Sequence, residues 1–128
     1  MKGGVLRMFH EDIKQLAKEN PYFRHVIFTG AHSQLVLMCL KRGEDIGTET
    51  HPSTDQMLFV VEGQGEATIG GETFDFDEHD VVVVPAGTVH NIKNKGDELK
   101  LYTIYSSPEH IHGTIHKTKA DAMKEEEE

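Results

Sequence analysis

Two short segments decide the fold of this chain: residues 43–63 read GEDIGTETHPSTDQMLFVVEG, and residues 85–94 read PAGTVHNIKN. The first segment contains Glu49-x-His51, and the second contains His90. Side chains at positions i and i+2 of a strand point to the same face, so we expect Glu49 and His51 to project together. The two segments therefore predict a site in which potential metal ligands from separate parts of the chain converge.

Gln56 opens the strand that follows a predicted turn at residues 52–55. Gln56, Leu58 and Val60 share one face of this strand, which predicts an interior that is polar at one mouth and apolar deeper inside. Asp55 is interpreted as a turn cap rather than a ligand, because Asp side chains commonly bond to nearby turn backbone. Four side chains thus form the predicted site: Glu49, His51, Gln56 and His90.

Outside these segments the sequence predicts short strands and little helix. Residues 11–19 form a short amphipathic helix, and residues 118–124 form a second helix after a Thr cap. Gly70-Gly71 predicts a two-residue hairpin turn with positive φ at both positions. The candidate strands cover residues 25–29, 34–41, 45–51, 56–62, 65–69, 73–76, 80–84, 88–93 and 98–105. Many short strands separated by turns predict an all-β antiparallel barrel or jelly roll, with residues 107–128 leaving the sheet as a tail.

Length and composition favour one globular domain over residues 1–128. The formal net charge is −9, and the acidic tail 124–128 contains four of the glutamates behind it. Because no Lys/Arg cluster offsets this charge, we expect no nucleic-acid binding. The single Cys39 excludes an intrachain disulfide and lies in an apolar run, which indicates a buried thiol and a reducing compartment. The lack of a leader and of a membrane-spanning run predicts a soluble cytoplasmic protein.

The two segments resemble the two motifs of the cupin superfamily, G-x5-H-x-H-x3-4-E-x6-G and G-x5-P-x-G-x2-H-x3-N, with every spacing kept. Three identities differ: Glu49 stands where the first His is usual, Gln56 where the Glu is usual, and His79 where the second motif's first Gly is usual. The resemblance implies a small single-domain cupin of the cupin 2 or mannose-6-phosphate isomerase-like type. It implies an antiparallel barrel or jelly roll, commonly a homodimer, with a divalent metal near one end.

A divalent metal suits the donor atoms at the four positions. The usual cupin set of three His and one Glu carries a charge of −1, and Glu49 preserves that charge where Gln56 replaces the usual Glu. Two imidazoles with two oxygen donors suit one Mn²⁺, Fe²⁺, Co²⁺, Ni²⁺ or Zn²⁺ ion. Glu49 has a second interpretation, as a general base or a substrate contact beside the metal.

Cupins include enzymes and binding proteins, so the resemblance leaves two function classes open. The first is a metal-dependent enzyme that acts on a sugar, a sugar acid or a keto acid by isomerisation or by oxygenation, with Glu49 as its catalytic residue. The alternative is a non-catalytic metabolite- or sugar-binding module. In both, a small molecule binds in the barrel, and we expect no membrane partner. The near-continuous apolar run at residues 34–40 adds to the expectation of a homodimer, since it suggests cover on both faces.

Several residues outside the metal set also have a predicted place. Arg24 is interpreted as a surface salt-bridge partner rather than an anion-binding residue. His79 and Asp80 are expected to begin a strand on its outer side. Tyr102 and Tyr105 face opposite ways on the last strand, so one of them is expected to line the cavity. Three tail histidines are interpreted as a surface or lid segment rather than as metal ligands: His110, His112 and His116.

Overall fold

A computed structural model describes residues 8–126 of the chain. Within that range it contains two short helices and nine strands. In chain order the elements are α1 (Ile13–Glu19), β1 (Arg24–Thr29), β2 (Gln34–Lys41), β3 (Asp55–Glu62), β4 (Gly65–Ile69), β5 (Glu72–Phe76), β6 (Val81–Val84), β7 (His90–Asn94), β8 (Glu98–Ser106), β9 (Ile115–His116) and α2 (Lys119–Glu126). The last two residues of the predicted acidic tail lie outside the described residues.

The strands form two antiparallel sheets, a six-stranded sheet in the order β6-β3-β8-β2-β1-β9 and a three-stranded sheet in the order β5-β4-β7. One apolar core lies between them, with Val36, Leu58 and Leu101 from the larger sheet and Ala67 and Ile92 from the smaller. The predicted all-β antiparallel jelly roll is confirmed. Backbone pairing among residues 8–126 leaves two sheets rather than one closed barrel.

Strand β2 is buried on both faces, as its apolar sequence predicts. Val36 and Met38 point into the core between the sheets, whereas Leu37 packs on the opposite face against Ala17 of α1 and Val61 of β3. Burying a side chain of this size contributes about 1.5–3 kcal/mol. The outer cover of β2 therefore comes from α1 of the same chain, so this strand no longer argues for a partner subunit, and the homodimer stays a prediction.

A capping side chain marks the beginning of each of the two helices. Asp12 precedes α1, and its side chain accepts the backbone N–H of Gln15 at 3.1 Å, so the helix begins two residues later than predicted. Thr118 precedes α2, and its hydroxyl accepts the N–H of Asp121 at 3.1 Å, which is the Thr cap that the sequence predicts. No helix in the part of the chain that the structure describes is long and apolar enough to cross a membrane.

Turn geometry confirms one prediction and revises another. Gly70 and Gly71 have φ values of 56° and 89°, as expected for a two-residue hairpin between β4 and β5. His79 has a φ of 74° and lies in the turn before β6, so His79 and Asp80 do not begin the strand, which starts at Val81. A positive φ at His79 also accounts for the glycine that is usual at this motif position.

Two further expectations about strands are wrong. Residues 45–51 do not form a strand, because Gly47 has a φ of 102° and interrupts the extended backbone. Only isolated bridges remain there, from Asp45 to Lys93 and from Glu49 to His90. The tail also returns to the sheet, since β9 pairs with β1 at its edge.

Candidate metal centre

Glu49 and His90 face each other across a reciprocal pair of backbone hydrogen bonds. The N–H of Glu49 donates to the carbonyl of His90 at 2.9 Å, and the N–H of His90 donates to the carbonyl of Glu49 at 2.9 Å. In such an antiparallel pair the two side chains lie on the same face. Backbone pairing thus brings a carboxylate of the first motif beside an imidazole of the second.

His51 joins this pair from two residues further along the chain. Its Nε2 lies 3.5 Å from Oε1 of Glu49, and its ring centroid lies 5.2 Å from that of His90. One potential ligand atom from each of Glu49, His51 and His90 lies within 4.8 Å of the other two. Metal–ligand bonds of about 2.0–2.2 Å place opposite ligands roughly 4–4.5 Å apart, so these three atoms need little movement to share one ion.

Each of the two imidazoles keeps one nitrogen without a partner. His90 Nδ1 lies 2.9 Å from the carbonyl oxygen of Thr88, and His51 Nδ1 lies 3.2 Å from Oε2 of Glu109. Because these oxygens only accept, Nδ1 carries the proton in each ring and Nε2 keeps its lone pair. Both Nε2 atoms are buried without a hydrogen-bond partner. Buried polar atoms are normally partnered, so the two orphaned nitrogens fit the coordination of a metal ion.

Gln56 supplies a third unpartnered atom. It lies on β3 and is 1% exposed, its Nε2 donates to the hydroxyl of Thr103 on β8 at 3.1 Å, and its Oε1 is buried without a partner. The contact with Thr103 uses the NH₂ group of the amide and leaves its carbonyl oxygen without a partner. This oxygen is the amide atom that a cation binds. Leu58 and Val60, further along β3, lie in the apolar core, so the predicted change from polar to apolar along this strand is confirmed.

Contacts within the site shift the pKa values of Glu49 and His51 in opposite directions. Burial by itself raises the pKa of Glu49, but the contact with His51 and the charges of His51 and Arg24 outweigh burial and hold that pKa below its usual value. The same contact with Glu49 raises the pKa of His51, and the charge of Glu109 adds to the increase while burial opposes it. Glu49 is therefore ionised at neutral pH, as an anionic ligand or a general base must be.

A turn between β6 and β7 ties the two motifs together. The N–H of Ala86 donates to Oδ1 of Asp55 at 2.8 Å, and the N–H of Gly87 donates to the carbonyl of His51 at 2.8 Å. Asp55 is therefore a turn cap as predicted, although it caps the turn before His90 rather than its own. These contacts hold the backbone of both histidines against one short loop.

Glu109 contacts the site although the sequence did not indicate it. Its carboxylate lies against His51, and its backbone N–H donates to Oε1 of Gln34 at 3.1 Å. The same Gln34 oxygen accepts the N–H of His110 at 2.9 Å, while Gln34 Nε2 donates to the carbonyl of His110 at 2.7 Å. Gln34 is 1% exposed, and a Gln at the start of an apolar strand was the one sequence signal for this anchor.

A cavity of about 260 Å³ opens beside Glu49 and His51 of this cluster. It is lined by Arg24, Glu49, His51, Glu109, His110, His116, Ala122 and Glu125. The tail therefore closes over the site with His110 and His116, in agreement with the predicted lid. His112 instead lies outside the cavity lining and bonds through Nδ1 to the hydroxyl of Thr29 at 2.9 Å.

Arg24 is not a surface salt-bridge partner, contrary to the expectation from the sequence. It is 4% exposed and lines the cavity, and its Nη1 lies 3.0 Å from Nδ1 of His116. The sequence could not show this contact, because the pairing of β9 with β1 joins residues 92 positions apart.

The two tyrosines of β8 face opposite ways, as predicted. Tyr105 is the inward one, and its ring packs edge-on against His51 at 5.7 Å and His110 at 5.2 Å between centroids. Burial raises the pKa of Tyr105 and lowers the pKa of His110 to about 4, so both side chains are neutral at pH 7. Tyr102 lies on the other face and stacks on Phe59 at 4.8 Å.

The fold and the motif pattern define the class of the protein. The family model for the cupin domain matches residues 36–105, a span that contains Glu49, His51, Gln56 and His90. This chain belongs to the cupin family.

Comparison with individual proteins gives both near and distant relatives. The chain is 44% identical to the uncharacterized protein YrkC of Bacillus subtilis (strain 168) over 93% of this chain and 68% of YrkC. It superposes on the crystal structure of BH2720 from Bacillus halodurans with a TM-score of 0.91 and 43% identity, over 92% of this chain and 95% of that one. It is also 27% identical to quercetin 2,3-dioxygenase of Bacillus subtilis (strain 168), over 68% of this chain and 26% of that enzyme.

Proposed function

We propose that this protein is a metal-dependent cupin enzyme that oxygenates a small, oxygen-rich substrate. In this proposal one divalent first-row ion is bound by Glu49, His51, Gln56 and His90. The observation that carries it is a set of three buried atoms without hydrogen-bond partners, Nε2 of both histidines and Oε1 of the glutamine, all on motif residues. The ionised carboxylate of Glu49 completes a mixed nitrogen and oxygen donor set beside the cavity.

The donor set narrows the class of metal. Two imidazoles, one carboxylate and one amide would suit Mn²⁺, Fe²⁺, Co²⁺, Ni²⁺ or Zn²⁺. A redox-active ion of this group would supply Lewis acidity and a binding position for an oxidant. Thr88 and Glu109 orient the two imidazoles from behind, which is the support that metal-binding histidines normally have.

Glu49 has the position and the charge of a proton acceptor. It lines the cavity, and its lowered pKa keeps it ionised at neutral pH. A substrate hydroxyl in the cavity could therefore lose its proton to this carboxylate as its oxygen becomes anionic. His110 lines the cavity and packs against the buried Tyr105, and both side chains are neutral at pH 7.

The reaction class is supported by relatives. The distant likeness to quercetin 2,3-dioxygenase favours oxygenation over isomerisation as the first reaction to test. That enzyme's substrate is not carried over, because the chain spans only 26% of its length. A cavity of about 260 Å³ is at the small end for binding sites, which favours a substrate with few rings.

The test begins with metal-free protein loaded separately with Fe²⁺, Mn²⁺, Co²⁺, Ni²⁺ and Zn²⁺. Oxygen uptake is measured with catechols, hydroxybenzoates, flavonols, keto acids and sugar acids, and NMR of the same mixtures detects isomerisation. We expect metal-dependent oxygen uptake with at least one substrate class. Tight binding of a ligand with no product under any metal would instead identify a non-catalytic binding module.

The variant Glu49→Gln distinguishes the two roles of this carboxylate, with Glu72→Gln on the exposed strand β5 as a matched control. If Glu49 is a base, the variant keeps metal at one ion per chain and loses turnover. If Glu49 is a ligand, metal content and turnover fall together. A variant that retains both would exclude Glu49 from the proposed mechanism.

A further inference from the structure

Arg24 is a buried cation at the wall of the candidate site. It is the first residue of β1, is 4% exposed, and lines the same cavity as Glu49 and His51. Its Nε is buried and has no hydrogen-bond partner. Among the side chains that the structure describes, no carboxylate lies within ion-pair distance of its guanidinium group. The charge of Arg24 helps to lower the pKa of Glu49, so these two groups interact at longer range. A buried guanidinium that makes no direct ion pair is nevertheless costly.

A chain of hydrogen bonds holds the guanidinium in place. Arg24 Nη1 lies 3.0 Å from Nδ1 of His116, and Nε2 of the same ring contacts the carboxylate of Glu125 on α2. A guanidinium only donates, so Nδ1 of His116 accepts and the proton of the neutral ring sits on Nε2, which donates to Glu125. His116 is thus a positioning residue that holds Nη1 of Arg24, while Nε of Arg24 stays without a hydrogen-bond partner.

The geometry points to Arg24 as the binding group for a carboxylate of the substrate. A guanidinium fork matches a carboxylate in plane and donates two N–H groups to it, and such charge-assisted bonds are among the strongest in proteins. The ligand class that follows is a small monocarboxylic acid with a second oxygen donor, such as a 2-oxo or a 2-hydroxy acid. The second oxygen would bind the metal, so this part of the inference rests on the proposed function. The contact between the carboxylate and Arg24 does not depend on the metal.

The charge of the cavity is compatible with such an anion. Arg24 contributes one positive charge against the three carboxylates of Glu49, Glu109 and Glu125, which leaves a formal charge of −2 with neutral histidines. A bound divalent ion would bring this sum to zero. A monoanionic acid would then neutralise Arg24 locally and leave the cavity with a formal charge of only −1.

The competing interpretation is that Arg24 only tethers α2 and β9 to the sheet through His116 and Glu125. Calorimetry with two matched probe pairs separates the roles: salicylate with salicylamide, and pyruvate with pyruvamide. Each is titrated into metal-free and metal-loaded protein, for the wild type, Arg24→Gln and Arg24→Lys. Arg42→Gln is the matched control, because Arg42 is an exposed arginine that pairs with Asp97.

We expect the wild type and Arg42→Gln to bind at least one carboxylate about 10- to 100-fold more tightly than its amide. Arg24→Gln should lose that margin while keeping its metal content, and Arg24→Lys should fall between them, because Lys keeps the charge without the fork. A second measurement uses only the wild type, so it does not depend on the folding of a variant. In ¹⁵N-labelled protein, the NMR resonance of the Arg24 Nε–H should shift with salicylate and not with salicylamide.

Three results would overturn the inference. The first is a folded Arg24→Gln variant that binds the carboxylate within about twofold of the wild-type affinity. The second is an Arg24 Nε–H resonance that does not shift with salicylate, and the third is wild-type protein that binds neither carboxylate at millimolar concentration. Carboxylate binding through Arg24 in a protein that takes up no metal would uphold the inference and reject the proposed function.

Discussion

The motif histidines and the tail histidines differ in what their ring nitrogens contact. His51 and His90, in the two motifs, each use Nδ1 for a protein contact and keep a buried Nε2 that has no hydrogen-bond partner. In the tail, His116 uses both nitrogens for protein contacts, and His112 bonds to Thr29 from an exposed position. A His-x-His pattern therefore does not define a metal site by itself; the backbone around it decides which nitrogens stay available.

His110 shows the limit of this comparison. Its Nε2 is also buried without a partner, and burial lowers its pKa to about 4. Yet among the described residues the cluster of potential ligand atoms contains Glu49, His51 and His90, and His110 lies outside it, against Tyr105. We therefore interpret His110 as part of the cavity wall rather than as a metal ligand.

The largest effect is expected from removing the motif imidazoles. The double variant His51→Ala/His90→Ala should lose the metal almost completely, because it removes both nitrogen donors. Elemental analysis of protein purified without chelators measures this, and circular dichroism checks that the fold remains. His10→Ala/His32→Ala, at two exposed positions, is the matched control and should keep one ion per chain. Equal metal content in the two variants would remove the basis of the proposed site.

The next effect tests whether the tail supports the motif. Glu109→Gln should weaken metal affinity by about 10- to 100-fold, because the neutral amide no longer orients and polarises His51 from behind. Competition with a chromophoric chelator measures the affinity, and the exposed Glu72→Gln should leave it unchanged. An unchanged affinity in Glu109→Gln would mean that the tail only covers the cavity.

Metal affinity should also depend on pH through His51. Its contact with Glu49 raises its pKa above the usual 6.5, so a proton competes with the metal at a higher pH than for an ordinary histidine. As the pH is lowered, the affinity should therefore begin to fall while the pH is still above 6.5, and it should then decrease by about tenfold for each further unit by which the pH drops. In Glu109→Gln the fall should begin at a lower pH, since the charge of Glu109 adds to the increase. A fall that starts at the same pH in both proteins would argue against this coupling.

The smallest effect on the site is expected from the anchor of the tail. Gln34→Ala leaves the backbone N–H groups of Glu109 and His110 without their acceptor, which should lower the free energy of unfolding by about 1–3 kcal/mol. Its metal affinity should fall by less than that of Glu109→Gln, because the carboxylate stays in the chain. Urea denaturation measures the first quantity, with the exposed Gln64→Ala as control. Equal stability in the two variants would show that Gln34 is not an anchor.

Much of the fold could be predicted because it depends on local patterns. Strand β6 shows the alternation of exposed and buried valines that a half-buried strand requires, and the hairpin glycines fix a turn by their own backbone preferences. The prediction of a strand at residues 45–51 was wrong because it also used local composition alone. These residues have the composition of a strand, but the positive φ of Gly47 interrupts the extended backbone and leaves only isolated bridges to β7.

The sequence by itself determined the jelly-roll class and the identity of the four motif residues, since turn glycines, strand alternation and fixed spacing act over a few residues. The tertiary structure alone decided what surrounds them. Arg24 meets His116, and Gln34 meets Glu109, across separations of 92 and 75 residues. Contacts of this kind follow from which strand edges pair and where the tail returns, so local preferences cannot specify them. The proposed metal donors thus lie in the motifs, whereas the cavity beside them exists only in the folded chain.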